Sequence, residues 1–231
     1  MSDSVSFFLP TRKGSERVIN KNTRPFAGNA GGLVENKIRQ LLSTRKIDEI
    51  LFSSNDERCI EVARKYSNDS RLKIIERPTE LCLSTTNLQD LIMYVPTITN
   101  TDHILWGHVT TPLADGEIYD KAIEYYLSKL SEGYDSLVSV KEFKNFLLNK
   151  EGKLINNNTS LPWPRTQDLE ALFEINHAIF LAKRDIYVKN KNRIGDKPLL
   201  YVMDELHSKD IDWEDDFTIA EMIYDKLYTN E

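Results

Sequence analysis

Cysteine is nearly absent from this chain: Cys59 and Cys82 are the only two in 231 residues. They stand in no CxxC or metal-ligand spacing. Cys59 reads as a helix-face residue and Cys82 as loop or core, with no disulfide between them. Long apolar runs are missing as well. Nothing approaches the ~20 residues of a membrane span, and the first apolar run, about five residues, falls short of the 7–15 of a signal-peptide core. A soluble, cytoplasmic protein with no membrane partner is expected. Positive charge is not in excess: the formal net charge is −6, which opposes general nucleic-acid binding, because a phosphate backbone wants a basic surface. Repeats, linkers and low-complexity segments are also absent. The length suits a single α/β domain, residues 1–231, large enough to bury a sizeable core.

Short β-rich apolar runs alternate with helical patterns, the signature of βαβ units and a mainly parallel sheet. Strands are predicted at 5–9, 49–53, 72–76, 103–108, 136–140, 172–181 and 198–203. Helices are predicted at 33–44, 56–65, 87–95, 117–130 and 216–227. Asp56 is positioned to cap the second of these, and Pro96 to end the third. The rhythm breaks between 141 and 171. There two apolar triplets flank Asn149-Lys150-Glu151-Gly152, a hairpin signal, and a loop with Pro162, Trp163 and Pro164 follows. The segment reads as a small β-rich insertion.

The first strand runs directly into a loop carrying Arg12, Lys13, Gly14, Ser15, Arg17, Lys21 and Asn22. Cations and free amides at a strand's C-terminal end suit the phosphates of a nucleotide, and ligands settle there in open α/β sheets. It is not a Walker A loop, since the second glycine and its Gly-Lys-Ser/Thr are missing. On residue types alone, a solvated basic turn carries equal weight. Near the other end, Asp210 and Asp212 alternate with Ile211, so an extended backbone would aim both carboxylates to one side. Such a pair, joined by triphosphate oxygens, suits a hard cation, Mg²⁺ or Mn²⁺. Taken alone, a DxD pair is more often solvated surface.

Four segments in order resemble one family. They are FLPTRKGSERVINKN (8–22), ERPTEL (76–81), VTTPL (109–113) and DIDWEDDFTIAE (210–221). Together they are similar to the nonulosonic acid cytidylyltransferases, the CMP-sialic acid synthetases or acylneuraminate cytidylyltransferases. The resemblance spans essentially the whole chain. It implies a three-layer α/β/α sandwich with a Rossmann-like sheet of the nucleotide-diphospho-sugar transferase type. It implies CTP as co-substrate, a sugar acid as acceptor, and a homodimer whose 141–171 arm carries residues to the neighbouring site. It also implies residue roles: Asp210 and Asp212 bind the metal, Arg12 and Lys21 the phosphates, Ser15 completes an anion nest, and Asn22 and Arg77 hold the nucleotide. Thr86 would offer its backbone to the cytosine edge. Arg165 would meet the sugar's carboxylate or the phosphates, and Asn176 belongs to the substrate-facing strand. Asp216 is expected to cap the terminal helix.

The departures fall where substrate choice is made. Glu16 replaces a lysine, His108 a glutamine or arginine, Glu174 an arginine, His177 a glycine and Phe180 a tyrosine. His108, His177 and Phe180 are therefore expected to face an acceptor other than N-acetylneuraminic acid, and titration of His108 near neutrality would make binding pH-sensitive. Trp106 reads as core, Trp163 as an interface residue, and Trp213 as a buttress beside the acidic pair. Two rivals stay open: a metal-dependent glycosyltransferase of similar architecture, and a nucleotide-binding homologue without turnover.

Overall fold

The computed structural model describes residues 3–14, 17–83 and 85–228. Seven strands form one sheet: β1 (Val5–Pro10), β2 (Glu49–Ser54), β3 (Leu72–Glu76), β4 (His103–Trp106), β5 (Ser136–Phe143), β6 (Leu172–Lys183) and β7 (Pro198–Val202). Their order is β3-β2-β1-β4-β6-β5-β7. All pairings are parallel except those of β6, which runs antiparallel to both β4 and β5. Six α-helices among the described residues accompany them: α1 (Gly32–Leu42), α2 (Glu57–Arg64), α3 (Leu88–Tyr94), α4 (Gly116–Lys129), α5 (Arg184–Lys189) and α6 (Glu214–Tyr228).

The period-2 geometry of a strand explains the layers. Val5, Phe7 and Leu9 of β1 point into one apolar cluster with residues of α1, α2, α4 and α6. Phe8 points into the other, beneath α3 and α5, where Trp106 is also buried. Both faces of the sheet are covered, so β1 reads as an unbroken apolar run rather than an alternating one. The fold is a three-layer α/β/α sandwich. Strand order reverses between β1 and β4, which makes a crevice outside their C-terminal ends.

The helix ends follow local chemistry. The side chains of Asp56, Asn87 and Asp115 each accept a backbone N–H of the first turn, at 3.0–3.1 Å. α3 gives way at Pro96 to a single 3₁₀ turn, Val95–Thr97. Cys59 and Cys82 are both buried free thiols. Among the described residues no helix is long and apolar enough to cross a membrane.

Three expectations need correction. β4 stops at Trp106, so His108 lies beyond the strand, in the crevice loop. α5 has no counterpart among the expected helices; its six residues are too short for a helical period to register. The insertion has less β-structure than expected. β5 extends to Phe143 and β6 starts at Leu172, but among the described residues between them only one bridge (Leu148 with Leu154) and one 3₁₀ turn (Thr166–Asp168) occur. Asparagine side chains take the place of a ladder there. Asn156 donates to the carbonyls of Asn145 and Glu170 at 2.8 and 3.3 Å, and Asn157 donates to that of Leu161 at 2.8 Å.

Candidate active site

The loop after β1 is stapled to the end of β2. Thr11 N–H donates to the Ser53 carbonyl at 2.9 Å, and its hydroxyl to Ser54 Oγ at 2.8 Å. Lys13 N–H donates to Asn55 Oδ1 at 2.9 Å. Arg77, buried just past β3, drives Nη2 into the carbonyls of Thr11 and Ser53 at 2.5 and 2.6 Å, and its Nε donates to Ser53 Oγ at 3.2 Å. Burial lowers its pKa, and no carboxylate pairs with it among the described residues. Arg77 thus spends its hydrogen bonds on holding the strand ends, while its side chain still lines the cleft that they frame.

That cleft has a volume of about 510 Å³ and is walled by Arg12, Lys21, Asn22, Arg77, Trp106 and His108, among others. It sits in the crevice between β1 and β4. The loop after β4 forms its other wall and is held from beneath by α1. The buried Lys37 ammonium donates to the carbonyls of Thr111 and Ala114 and to the Tyr119 hydroxyl, at 2.6–2.9 Å, and Asn36 and Gln40 both donate to the Pro112 carbonyl. Burial brings the Lys37 pKa down to about 7. Sequence reasoning missed this clamp, because a lysine on a helix reads as surface.

Lys21 joins the N-terminal loop to the C-terminal acidic segment. Its Nζ donates to the Ile211 carbonyl at 2.7 Å. Burial lowers its pKa, while Asp210 and Asp212 pull it back up. Ile211 N–H in turn donates to the Thr110 carbonyl at 2.9 Å, which fixes the acidic segment beside the loop after β4. The two aspartates are not equivalent. Asp212 Oδ1 pairs with Arg17 at 2.7 Å, both groups half-exposed. Asp210 is desolvated, which raises its pKa against an opposing hydrogen bond from Thr110, and its Oδ1 is buried with no hydrogen-bond partner among the described residues. Asp216 accepts the N–H groups of Asp212 and Trp213 at 3.2 and 2.9 Å. It caps α6 from inside the first turn by reaching back, in the manner of a capping box, rather than as the N-cap residue. Trp213 is 60% exposed and lies 5.3 Å from the Arg17 guanidinium, so it steadies the partner of Asp212 instead of packing under the pair.

A second cleft, about 320 Å³, opens on the far side of the aspartates and includes Lys141, Glu174, Asn176 and His177 in its wall. Its shape comes from a bulge in β6. Val138 pairs with Phe180 and Val140 with Ile175, so Ser139 alone faces residues 176–179. Ser139 Oγ closes the bulge, donating to Asn176 Oδ1 at 2.5 Å and accepting Ile179 N–H at 2.8 Å. Asn176 is buried and spent on this bulge, with Nδ2 on Met203 Sδ at 3.3 Å. His177 is thrown outward with φ +61°, a left-handed conformation that L-residues other than glycine take at a cost. Its ring lies 6.3 Å from that of His108. His108 is pushed down to about pKa 3 by desolvation and by the nearby Arg193 and His177. It is therefore neutral throughout the physiological range, and the expected pH-sensitivity near neutrality does not come from this residue.

Arg12, Lys21, Asn22, Arg77 and His108 thus meet in the larger cleft, and Asn176, His177, Asp210 and Asp212 meet in the smaller. Three expected residues stay outside both. Thr86 N–H is bonded to the Leu83 carbonyl and its hydroxyl to that of Glu80, so this amide is not free for a base edge. Arg165 lies on the insertion, 80% exposed and bidentate to Asp168 at 2.9 and 3.0 Å. Phe180 is core, 2% exposed, because the bulge turns it to the face under α3 and α5. Ser15 and Glu16 lie outside the described residues. Arg17 and Thr110, which tie the acidic segment to the two loops, carried no signal beyond their neighbourhood in sequence.

A family model described as cytidylyltransferase matches residues 7–194. The chain is 25% identical over 226 residues to an N-acylneuraminate cytidylyltransferase of Streptococcus agalactiae, covering 94% of this chain and 53% of that one. It is also 25% identical over 223 residues to a pseudaminic acid cytidylyltransferase of Campylobacter jejuni, covering 94% of each. The chain thus spans about half the length of the first relative and nearly all of the second. Among solved structures, a CMP:2-keto-3-deoxy-manno-octonic acid synthetase complexed with CTP superimposes with a TM-score of 0.66 at 10% identity, covering 97% of this chain and 100% of that one. A 4-diphosphocytidyl-2C-methyl-D-erythritol synthase from Anaerococcus prevotii gives 0.64 at 10% identity, covering 95% and 97%. These last two establish the likeness of fold.

Proposed function

The chain belongs to the cytidylyltransferase family, and we propose that it activates a nonulosonic acid with CTP, releasing pyrophosphate. The observation that carries this reading is the meeting at Lys21. A cationic strand-end loop and an acidic segment 190 residues away are brought into contact by Lys21 on the Ile211 carbonyl and Arg17 on Asp212. The contact lies between a cleft sized for a nucleotide and a smaller polar one.

In the reaction, the acceptor's anomeric hydroxyl oxygen bonds to the α-phosphorus of CTP. The oxygen bridging to the β-phosphorus leaves with the bonding electron pair as pyrophosphate, and the hydroxyl proton is released. The protein's work is positioning and charge neutralisation. Arg12 and Lys21 hold the phosphates and meet the charge that grows on the leaving group. Asn22 and the framework stapled by Arg77 fix the nucleotide, and His177 and neutral His108 stand between the clefts, where the acceptor enters.

The donor set fits a hard divalent cation. Asp210 presents a buried oxygen without a partner, Asp212 lies two residues on, and no cluster of three or more His, Cys, Asp or Glu forms among the described residues. Two carboxylates supplemented by phosphates and water are the habit of Mg²⁺. Mg²⁺ or Mn²⁺ held there supplies charge neutralisation on the phosphoryl oxygens. Dependence on CTP points to the cytoplasm. The insertion leaves Phe146, Leu148, Ile155, Leu161 and Trp163 exposed, an apolar surface suited to a homodimer, in which Arg165 on that arm would serve the neighbour's site.

The test is pyrophosphate release from CTP and Mg²⁺ with N-acetylneuraminic, legionaminic, pseudaminic and 2-keto-3-deoxy-manno-octonic acids. Release with one of them is expected. Silence across the panel from a protein that still binds CTP would remove turnover from the reading.

A further inference from the structure

Behind His108 lies a charge that the mechanism above does not use. Arg193 follows α5, and its guanidinium is packed 3.6 Å from the ring centroid of Phe180 and 4.8 Å from that of Trp106. Among the described residues its Nη1 is buried with no hydrogen-bond partner, and no carboxylate acts on the guanidinium. Burial brings its pKa down to about 10, with an opposing pull from Tyr187. Two neutral donors nearby are also unsatisfied: Trp106 Nε1 and the Tyr187 hydroxyl are buried without partners among the described residues. Ring stacking returns part of the cost of desolvating a guanidinium. It does not satisfy the N–H groups, and a buried cation ordinarily requires an anion or acceptors.

The surroundings select the anion. Trp106 and His108 belong to the wall of the nucleotide cleft, and Arg193 packs on Trp106 behind that wall without itself lining the cleft. Arg12 and Lys21, the cations suited to phosphates, stand on the loop after β1. The groups nearest Arg193 are uncharged: His108 is neutral, and Trp106, Phe180 and Tyr187 are aromatic. One guanidinium with two neutral donors matches a single planar carboxylate better than a triphosphate.

We propose that Arg193 is the residue that binds the acceptor's carboxylate, with Trp106 Nε1 and the Tyr187 hydroxyl as supporting donors. This rests on the cytidylyltransferase reading. It assigns to Arg193 the carboxylate contact that the resemblance implies for Arg165, which within one chain lines neither cleft.

Two measurements separate the fate of this inference from that of the reading beneath it. In the first, Arg193→Met and Arg193→Lys are compared with wild type for pyrophosphate release, using whichever acid of the panel supports turnover. Methionine keeps the stacked volume without the charge. Arg193→Met is expected to raise KM for the acid by about 30-fold or more, the usual cost of removing one side of a buried charge pair, with KM for CTP within about twofold by the same reasoning. Lysine, a charge without the planar fork, should recover part of the loss. A purely structural arginine predicts an unchanged acid KM in the methionine variant, and a rise in the CTP KM instead would assign the guanidinium to phosphate; either result overturns the proposal. The second measurement needs no turnover. The Arg193 Nε–H resonance is followed during titration with pyruvate, a small 2-keto carboxylate, and with methyl pyruvate. A shift with the acid alone supports the site even if no sugar acid is activated, whereas no shift up to solubility, or equal shifts with both, overturns it.

Discussion

The two sides of the site are built to opposite rules. On the nucleotide side, the strand ends are densely hydrogen-bonded: Arg77 makes three hydrogen bonds to the ends of β1 and β2, and Thr11 and Lys13 add three more. On the acceptor side, groups are left wanting. Among the described residues Asp210 Oδ1, Arg193 Nη1, Trp106 Nε1 and the Tyr187 hydroxyl have no partners and His177 is held at positive φ, whereas the nucleotide side has Gln40 Oε1 unpartnered beneath it and Asn20 at positive φ. Strain and unmet hydrogen bonds persist only where the surrounding structure enforces them, and they gather where ligands bind. The nucleotide is the invariant half of the proposed reaction, so a rigid frame suits it. The acceptor half carries the groups that a ligand would complete.

If this contrast is real, substitutions on the two sides should fail in different ways. Asp210→Asn should lower kcat by about 10²–10³-fold, the scale of losing one preorganised electrostatic group. It should change the melting temperature little, because the cost of desolvating the carboxylate and its attraction to Lys21 are lost together. Pyrophosphate release and thermal unfolding of the same preparation decide it; a folded variant with near-wild-type kcat would detach Asp210 from the chemistry.

Arg77→Met should show the reverse emphasis. Losing charged hydrogen bonds to buried carbonyls costs about 2–3 kcal/mol of stability, seen as an earlier denaturant midpoint. KM for CTP should rise as the loop after β1 loosens, while the acid KM changes less. A stable variant with a selective defect in nucleotide binding would make Arg77 a ligand contact rather than a staple and would weaken the contrast.

These two residues also mark what the sequence made legible. The strands and the main helices were readable, because a doubly covered sheet writes its pattern as short apolar runs between helical periods. The loop after β1, the acidic pair and Arg77 were singled out by the family resemblance; residue type alone left them equally a solvated turn, a surface pair and a strand-end salt bridge. The hydrogen bonds of Arg77 to carbonyls depend on the close approach of β1 and β2, which no spacing reports. What the sequence concealed lies in irregular geometry. Asn176 and Phe180 looked like neighbours on one substrate-facing strand, yet the bulge opposite Ser139 turns one into a bulge-closing side chain and the other into core. Arg193 lay in a stretch, KNKNRIGDK, that reads as polar loop. Its stacking on Trp106 and Phe180 arises only after β4, β6 and α5 have met.

His177 gives the smallest effect and the sharpest test of whether acceptor-side strain serves binding. A non-glycine residue in the left-handed region loses roughly 1–2 kcal/mol, of which glycine's greater freedom in the unfolded chain takes back about 0.5–1 kcal/mol. His177→Gly should therefore stabilise the protein by about 0.5–1 kcal/mol, read as a later denaturant midpoint at constant slope. The imidazole that faces His108 at 6.3 Å is lost with it. If the histidine is held there for the acceptor, the more stable variant should have a higher KM for the activated acid and an unchanged KM for CTP. A gain in stability with no change in either KM would show that the bulge tolerates strain without using it, and that the contrast between the two sides is one of packing alone.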